Sequence, residues 1–197
     1  STPFGSGSID ASSSISIAGS ATLDVSGRST GGYVYAGEVS GTGDIKGVFT
    51  ISSAGDLQPG GSLGADRGTL TVTGNTNLAG TYEFQVSSGS SDLLDVTGTV
   101  TVSGTLAVSG TPPVAGSTII VIANDGTDAV TGTFTGLPEG ATVTDDDGDQ
   151  YVISYVGGTG NDVVLFAGTP DTYVDLTGGV LTITDIGTET ADAITIS

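Results

Sequence analysis

The densest chemistry in this chain is acidic and sits in turns. Asp145-Asp146-Asp147-Gly148-Asp149 sets four carboxylates in five positions, and Gly157-Gly-Thr-Gly-Asn-Asp162 adds another beyond a short apolar run. Carboxylates this close repel one another, and a hard divalent cation with oxygen ligands relieves that repulsion. Asp145, Asp147, Asp149 and Asp162 are therefore candidate Ca²⁺ ligands. A solvated acidic turn explains the first group equally well, and a glycine hairpin turn explains the second. Asn124-Asp-Gly-Thr-Asp128 is a third turn of this kind. None is an EF-hand, because the ligand spacing and the distal Glu are missing.

Catalysis finds little to work with. The chain has no His or Cys, and its basic residues are Arg28, Lys46 and Arg67. Asp92 and Asp95 stand three apart, so on a strand they face opposite ways and make a poor pair for glycoside hydrolysis. The expectation is a protein that is not an enzyme. Tyr33/Tyr35 and Tyr82/Phe84 are each two apart, so each pair shares one strand face. Such pairs form either an aromatic stack in a core or a strip on which a glycan stacks.

A net charge of −19 argues against nucleic acid and anionic membranes as partners, since both need basic neutralising surface. No stretch is long and apolar enough to insert in a membrane as a helix. Without Cys there are no disulfide staples. The acidic surface and repetitive β-patterning suit an extracellular or bacterial cell-surface location. The chain lacks Met, so Ser1 is expected to arise by processing or excision from a longer precursor.

The elements that would position these groups are short alternating phrases closed by glycine. Leu70-Thr-Val-Thr-Gly74, Leu94-Asp-Val-Thr-Gly98, Val100-Thr-Val-Ser-Gly104 and Leu106-Ala-Val-Ser-Gly110 set the pattern, and Leu23-Asp-Val-Ser-Gly27 repeats it earlier. Period-two alternation reads as strands with one buried face. Phrases of about five residues favour a parallel β-helix over an antiparallel sandwich. The predicted fold is all-β: a parallel β-helix (solenoid) over residues 1–123, an antiparallel hairpin cap over 124–168, and a short strand tail over 169–197. Thr118–Ala123 is expected as a strand buried on both faces or as the last rung under the cap. A two-stranded tail is marginal alone, so Val174, Leu176, Val180, Leu181, Ile183, Ile194 and Ile196 are candidate assembly residues that pair with a neighbouring subunit.

The succession Gly55-Asp-Leu-Gln-Pro-Gly-Gly-Ser62, Gly68–Gly74, Asp92–Gly98, Phe134-Thr-Gly-Leu-Pro-Glu-Gly140 and Tyr155–Leu165 resembles the β-helical passenger regions of autotransporter-like bacterial surface proteins. It is especially similar to autotransporter-associated β-strand repeats. The resemblance implies a right-handed β-helix, secretion, and a structural or adhesive surface role. Gly157–Leu165 also resembles the Ca²⁺-binding nonapeptide of repeats-in-toxin proteins, with Gly187–Thr195 as a degraded second copy. The expected function is that of a self-assembling subunit of a fibre, sheath or surface layer, built by strand addition or end-to-end stacking. The alternative is an adhesin fragment that binds glycan or a cell surface.

Overall fold

The computed structural model describes Ile9, residues 11–28, 32–61 and 67–168, and the backbone of 172–177 and 180–185. Its first fifteen strands come as five successive triplets. These are β1 (Ser14–Ile17), β2 (Thr22–Asp24) and β3 (Tyr33–Tyr35); β4 (Glu38–Gly41), β5 (Asp44–Lys46) and β6 (Phe49–Ile51); β7 (Asp56–Pro59), β8 (Thr69–Thr73) and β9 (Thr76–Leu78); β10 (Thr81–Val86), β11 (Leu93–Val96) and β12 (Val100–Val102); β13 (Thr105–Gly110), β14 (Thr118–Asn124) and β15 (Thr131–Gly132). First, second and third members stack separately, as faces A, B and C. Every pairing among these strands is parallel. The chain is a β-solenoid, and the sandwich alternative is excluded.

The register shows why the phrases work. On face A, Ile15, Val39, Leu57, Tyr82 and Leu106 fall in one column. On face C, Tyr35, Ile51, Leu78 and Val102 do the same. Alternation sends these columns inward, and nearly all of their members are buried in one continuous apolar core. Their immediate neighbours in sequence, such as Thr50, Asn77 and Thr101 on face C, point to the outer side.

The corners require glycine where one rung lies directly on the next. A Cβ on Gly104 would run into the carbonyl oxygen of Gly80, and one on Gly80 would run into those of Gly55 and Ser52. These three glycines form a column, so strand spacing itself forbids a side chain there.

The final rung runs past residue 123, since β15 still pairs in parallel with β12. Face B then continues differently. β16 (Thr142–Thr144), β17 (Gln150–Gly157) and β18 (Asp162–Ala167) add to β14 in the order β18-β17-β16, all antiparallel. The expected cap is present, with its hairpin turns at 145–149 and 158–161. β14 is the last rung beneath it. Its burial is not two-sided throughout, since Ile120 keeps 40% exposure beside a bulge. Phe134 closes the core beneath the cap, fully buried and stacked on Tyr82 with ring centroids 6.2 Å apart. β19 (Thr172–Thr177) and β20 (Val180–Asp185) form a separate two-stranded ribbon.

Candidate functional site

The acidic turns are closed by their own donors. Asp145 follows β16 and is nearly buried. Its Oδ1 accepts the amides of Asp147 at 3.1 Å and Asp149 at 2.8 Å, and its Oδ2 accepts the Tyr151 hydroxyl at 3.1 Å. Burial and the neighbouring Asp145 carboxylate push the Tyr151 phenol well above its ordinary range. Asp145 thus shapes the turn, while Asp146, Asp147 and Asp149 face solvent.

Asp162 lies at the other end of β17, in a different turn. Its Oδ1 accepts the Asn124 amide at 2.8 Å, and its Oδ2 accepts the Thr159 amide at 2.9 Å. The four candidate ligands Asp145, Asp147, Asp149 and Asp162 are therefore not gathered into one set. Among the described residues, no group of three or more Asp, Glu, His or Cys side chains is placed to hold a metal.

The third acidic turn meets the second. Asn124 Nδ2 donates to the Asp128 carbonyl at 2.7 Å. Asn161 Nδ2 donates to the carbonyls of Asp125 and Asp128, each at 3.1 Å. Asn124, Asn161 and Asp162 are all buried. This junction ties the end of β14 to the start of β18, and two oxygens in it, Asn124 Oδ1 and Asp128 Oδ2, are buried without a partner.

The aromatic pairs are core residues. Tyr33, Tyr35, Tyr82 and Phe84 are each 2% exposed or less. Tyr33 packs on Tyr35 and Phe49, and Tyr82 packs on Phe84 and Phe134. The sugar-stacking strip expected as one alternative is not formed by these residues.

Asp92 was dismissed as half of a catalytic pair, and it is indeed apart from Asp95, which sits on the outer row of face B between Thr71 and Ala123. Asp92 has another role. It is fully buried, and it accepts the amides of Gly68 at 3.0 Å and Gln85 at 2.9 Å. It thereby fastens the start of β8 to β10 and closes the Ser87–Ser91 turn. Burial pushes its carboxyl up to about 6, opposed by the two amides and by Arg67. With no exposed surface, it is a latch rather than a reagent.

Comparison with protein-family models, with curated proteins and with solved structures finds no match to this chain.

Two features face outward. A groove of about 450 Å³ lies between the Ser87–Ser91 turn and β14, lined by Leu93, Pro113, Ile119 and Ile120 among others, with no titratable side chain. The second is the edge of face A. Thr105 N donates to Gly80 O at 3.0 Å, and Thr111 N donates to Val86 O at 3.1 Å. Odd-numbered residues of β13 therefore serve β10. Leu106, Val108 and Gly110 turn their main-chain groups the other way, where no described strand pairs with β13.

Of the candidate assembly residues, Ile194 and Ile196 lie outside the described residues. In the ribbon, Val174 pairs with Ile183 and Leu176 with Leu181, while Val180 pairs with Thr177.

Proposed function

We propose that this chain is a non-enzymatic structural protein of an extracellular or bacterial cell-surface layer or fibre, self-assembling by β-strand addition. The observation that carries the reading is the edge of β13. Soluble proteins usually blunt an unpaired edge with charge or proline. Here the interior strands of face A carry Glu38, Asp56, Pro59 and Glu83, whereas edge strand β13 (Thr-Leu-Ala-Val-Ser-Gly) carries neither. The side chains of β13 are uncharged, and although Asp146 and Asp147 stand beside Ser109 and Gly110 at its end, a strand added along Leu106–Val108 meets no carboxylate of β13 itself in a chain of net charge −19.

The donor is the β19–β20 ribbon of a second copy. It too is six residues long on each strand, alternates Val, Leu and Ile with polar residues in its sequence, and pairs with no other described strand. Main-chain hydrogen bonds supply the strength of such a contact, and the alternating apolar residues set its register. A donor and an acceptor at different places on one chain give a contact that propagates. End-to-end stacking of cores is disfavoured, because Phe134 and the cap cover the last rung. The glycan-binding alternative loses its motivating strip with the burial of Tyr33 and Tyr82.

Sedimentation velocity on the whole chain tests this reading. Val108→Pro removes an outward amide from β13 at a position whose extended backbone tolerates proline. Leu181→Thr with Ile183→Thr keeps β-propensity but removes two of the alternating apolar residues of β20. The intact chain is expected to form concentration-dependent oligomers, and each variant alone is expected to stay monomeric. A mixture of the two restores one acceptor and one donor and is expected to give a discrete heterodimer. An intact chain that stays monomeric at about 100 μM, some hundredfold above a micromolar Kd, overturns the reading. Assembly that survives in both variants overturns the β13–ribbon contact.

A further inference from the structure

We infer that face C is the surface by which assembled fibres pack side by side, against face C of a second copy running in the opposite axial direction. The inference rests on the assembly reading, since it concerns what the fibres do once formed. The observation behind it is the distribution of charge. The strands of face A carry Glu38, Asp56 and Glu83, and those of face B carry Asp24, Asp44, Lys46 and Asp95. The strands of face C read Tyr-Val-Tyr, Phe-Thr-Ile, Thr-Asn-Leu, Val-Thr-Val and Thr-Gly, without a charged residue. The corners of its middle rungs, residues 47–48, 52–55, 74–75, 79–80, 98–99 and 103–104, are uncharged as well. A net charge of −19 keeps copies apart wherever carboxylates meet. Of the three faces, only C lets two copies touch without that repulsion.

The face has the geometry of a packing sheet. Val34, Thr50, Asn77, Thr101 and Thr131 pair rung to rung and form one outward column. They rise in register by about 4.8 Å per rung. Beside them the Asn75 side chain accepts the Thr99 amide at 3.1 Å, tying one rung to the next. Stacked parallel strands bearing uncharged β-formers and Asn in register are what a dry zipper between two sheets is made of. Val34 and Val48, 59% and 41% exposed, add apolar surface at the lower end. Charge sets the direction. Arg28 lies at that lower end, its guanidinium 4.7 Å from the Tyr33 ring centre. At the upper end the turn with Asp125 and Asp128 leads into β15. Opposed directions bring each Arg28 towards the acidic turn of the facing copy. The face measures roughly 20 Å by 15 Å, well short of the about 800 Å² per partner that a stable pair buries. Single chains therefore do not pair through it, and the edge variants stay monomeric. A fibre presents the face once per copy, so contacts too weak singly hold two fibres together.

Negative-stain electron microscopy of the assembled whole chain tests this, with fibre width as the readout. The intact chain is expected to give bundles or sheets at least two fibres wide. Thr50→Glu with Thr101→Glu places charge on the outward column. It is expected to leave fibre length and Tm unchanged and to reduce the width to that of one fibre. Screening by about 1 M NaCl is expected to restore the width of this variant, which a folding defect would not allow. Arg28→Glu is expected to lose most paired fibres at low salt. Single-width fibres from the intact chain overturn this inference alone, and so does pairing that the double variant keeps at low salt. An Arg28→Glu chain that pairs as before overturns the opposed direction. The absence of any fibre overturns the assembly reading, and this inference with it.

Discussion

Faces A and B reach the same end of the solenoid and finish differently. Face B runs on through β18, β17 and β16, and buried polar groups stitch that extension to the body. Tyr155 holds it closed, accepting the Phe134 amide at 2.8 Å and donating to the Leu137 carbonyl at 2.8 Å. Face A stops at β13 with half of its main-chain groups turned outward. The two ends differ because the chain spends its polar connections on one face. An antiparallel extension lacks the rung-on-rung apolar columns of the body, and needs side-chain hydrogen bonds to fix it. A rung at an open edge needs only the next strand.

The strongest way to break this contrast is to remove the common body on which both ends depend. Gly80→Ala drives a methyl group into two main-chain carbonyls, which cannot yield without separating rungs. It is expected to cost more than about 4 kcal/mol, or to prevent folding, by denaturant titration. Phe134→Ala strikes the contact between the cap and the last rungs. It is expected to cost about 3–4 kcal/mol and to raise proteolysis within 133–168 while leaving β4–β9 protected. Tyr155→Phe leaves the Phe134 amide without its acceptor under the cap. A loss of about 1–3 kcal/mol is expected, again confined to the cap. Uniform destabilisation by either cap variant would erase the distinction between body and cap.

The smallest effect concerns the body's own polar latch. The Asp92 carboxyl titrates at about 6 in the folded chain, against 3.8 for the ordinary group. The folded state therefore binds this proton more tightly than the unfolded state. Stability is expected to rise as pH falls from 7.5 through 6 towards 5, by about 1–2 kcal/mol after allowance for screening. Asp92→Asn should flatten that rise, as read from urea midpoints across the pH range. A rise equal to that of the unsubstituted chain would place its origin in other carboxylates.

Much of this architecture was written in the sequence because period-two alternation maps directly onto an inside and an outside. Glycine-closed phrases such as Leu70–Gly74 marked rungs, and the turns at 145–149 and 158–161 marked the cap hairpins. The aromatic pairs were ambiguous for a physical reason: spacing assigns two residues to one face but does not say which face is buried. Asp92 was not legible as a latch, because its partner Gly68 lies a full rung away and the contact exists only once rungs stack. The partners of the acidic turns were hidden for the same reason. Asp145 and Asp162 are close in sequence, but strand β17 holds their turns at opposite ends, and Asp162 instead meets Asn124 and the turn that runs to Asp128, distant along the chain.

The most direct test of the central contrast is amide-resolved hydrogen exchange, run on dilute and on concentrated chain. Amides of β14 that face β18 are expected to exchange slowly at both concentrations. Those of Leu106, Val108 and Gly110 are expected to exchange fast when dilute and to become protected when concentrated, as strands add to the edge. Slow exchange of these three amides in the dilute monomer would contradict the account, since the edge would already be covered within one chain. Fast exchange at every concentration would contradict it too, since no strand would be adding there.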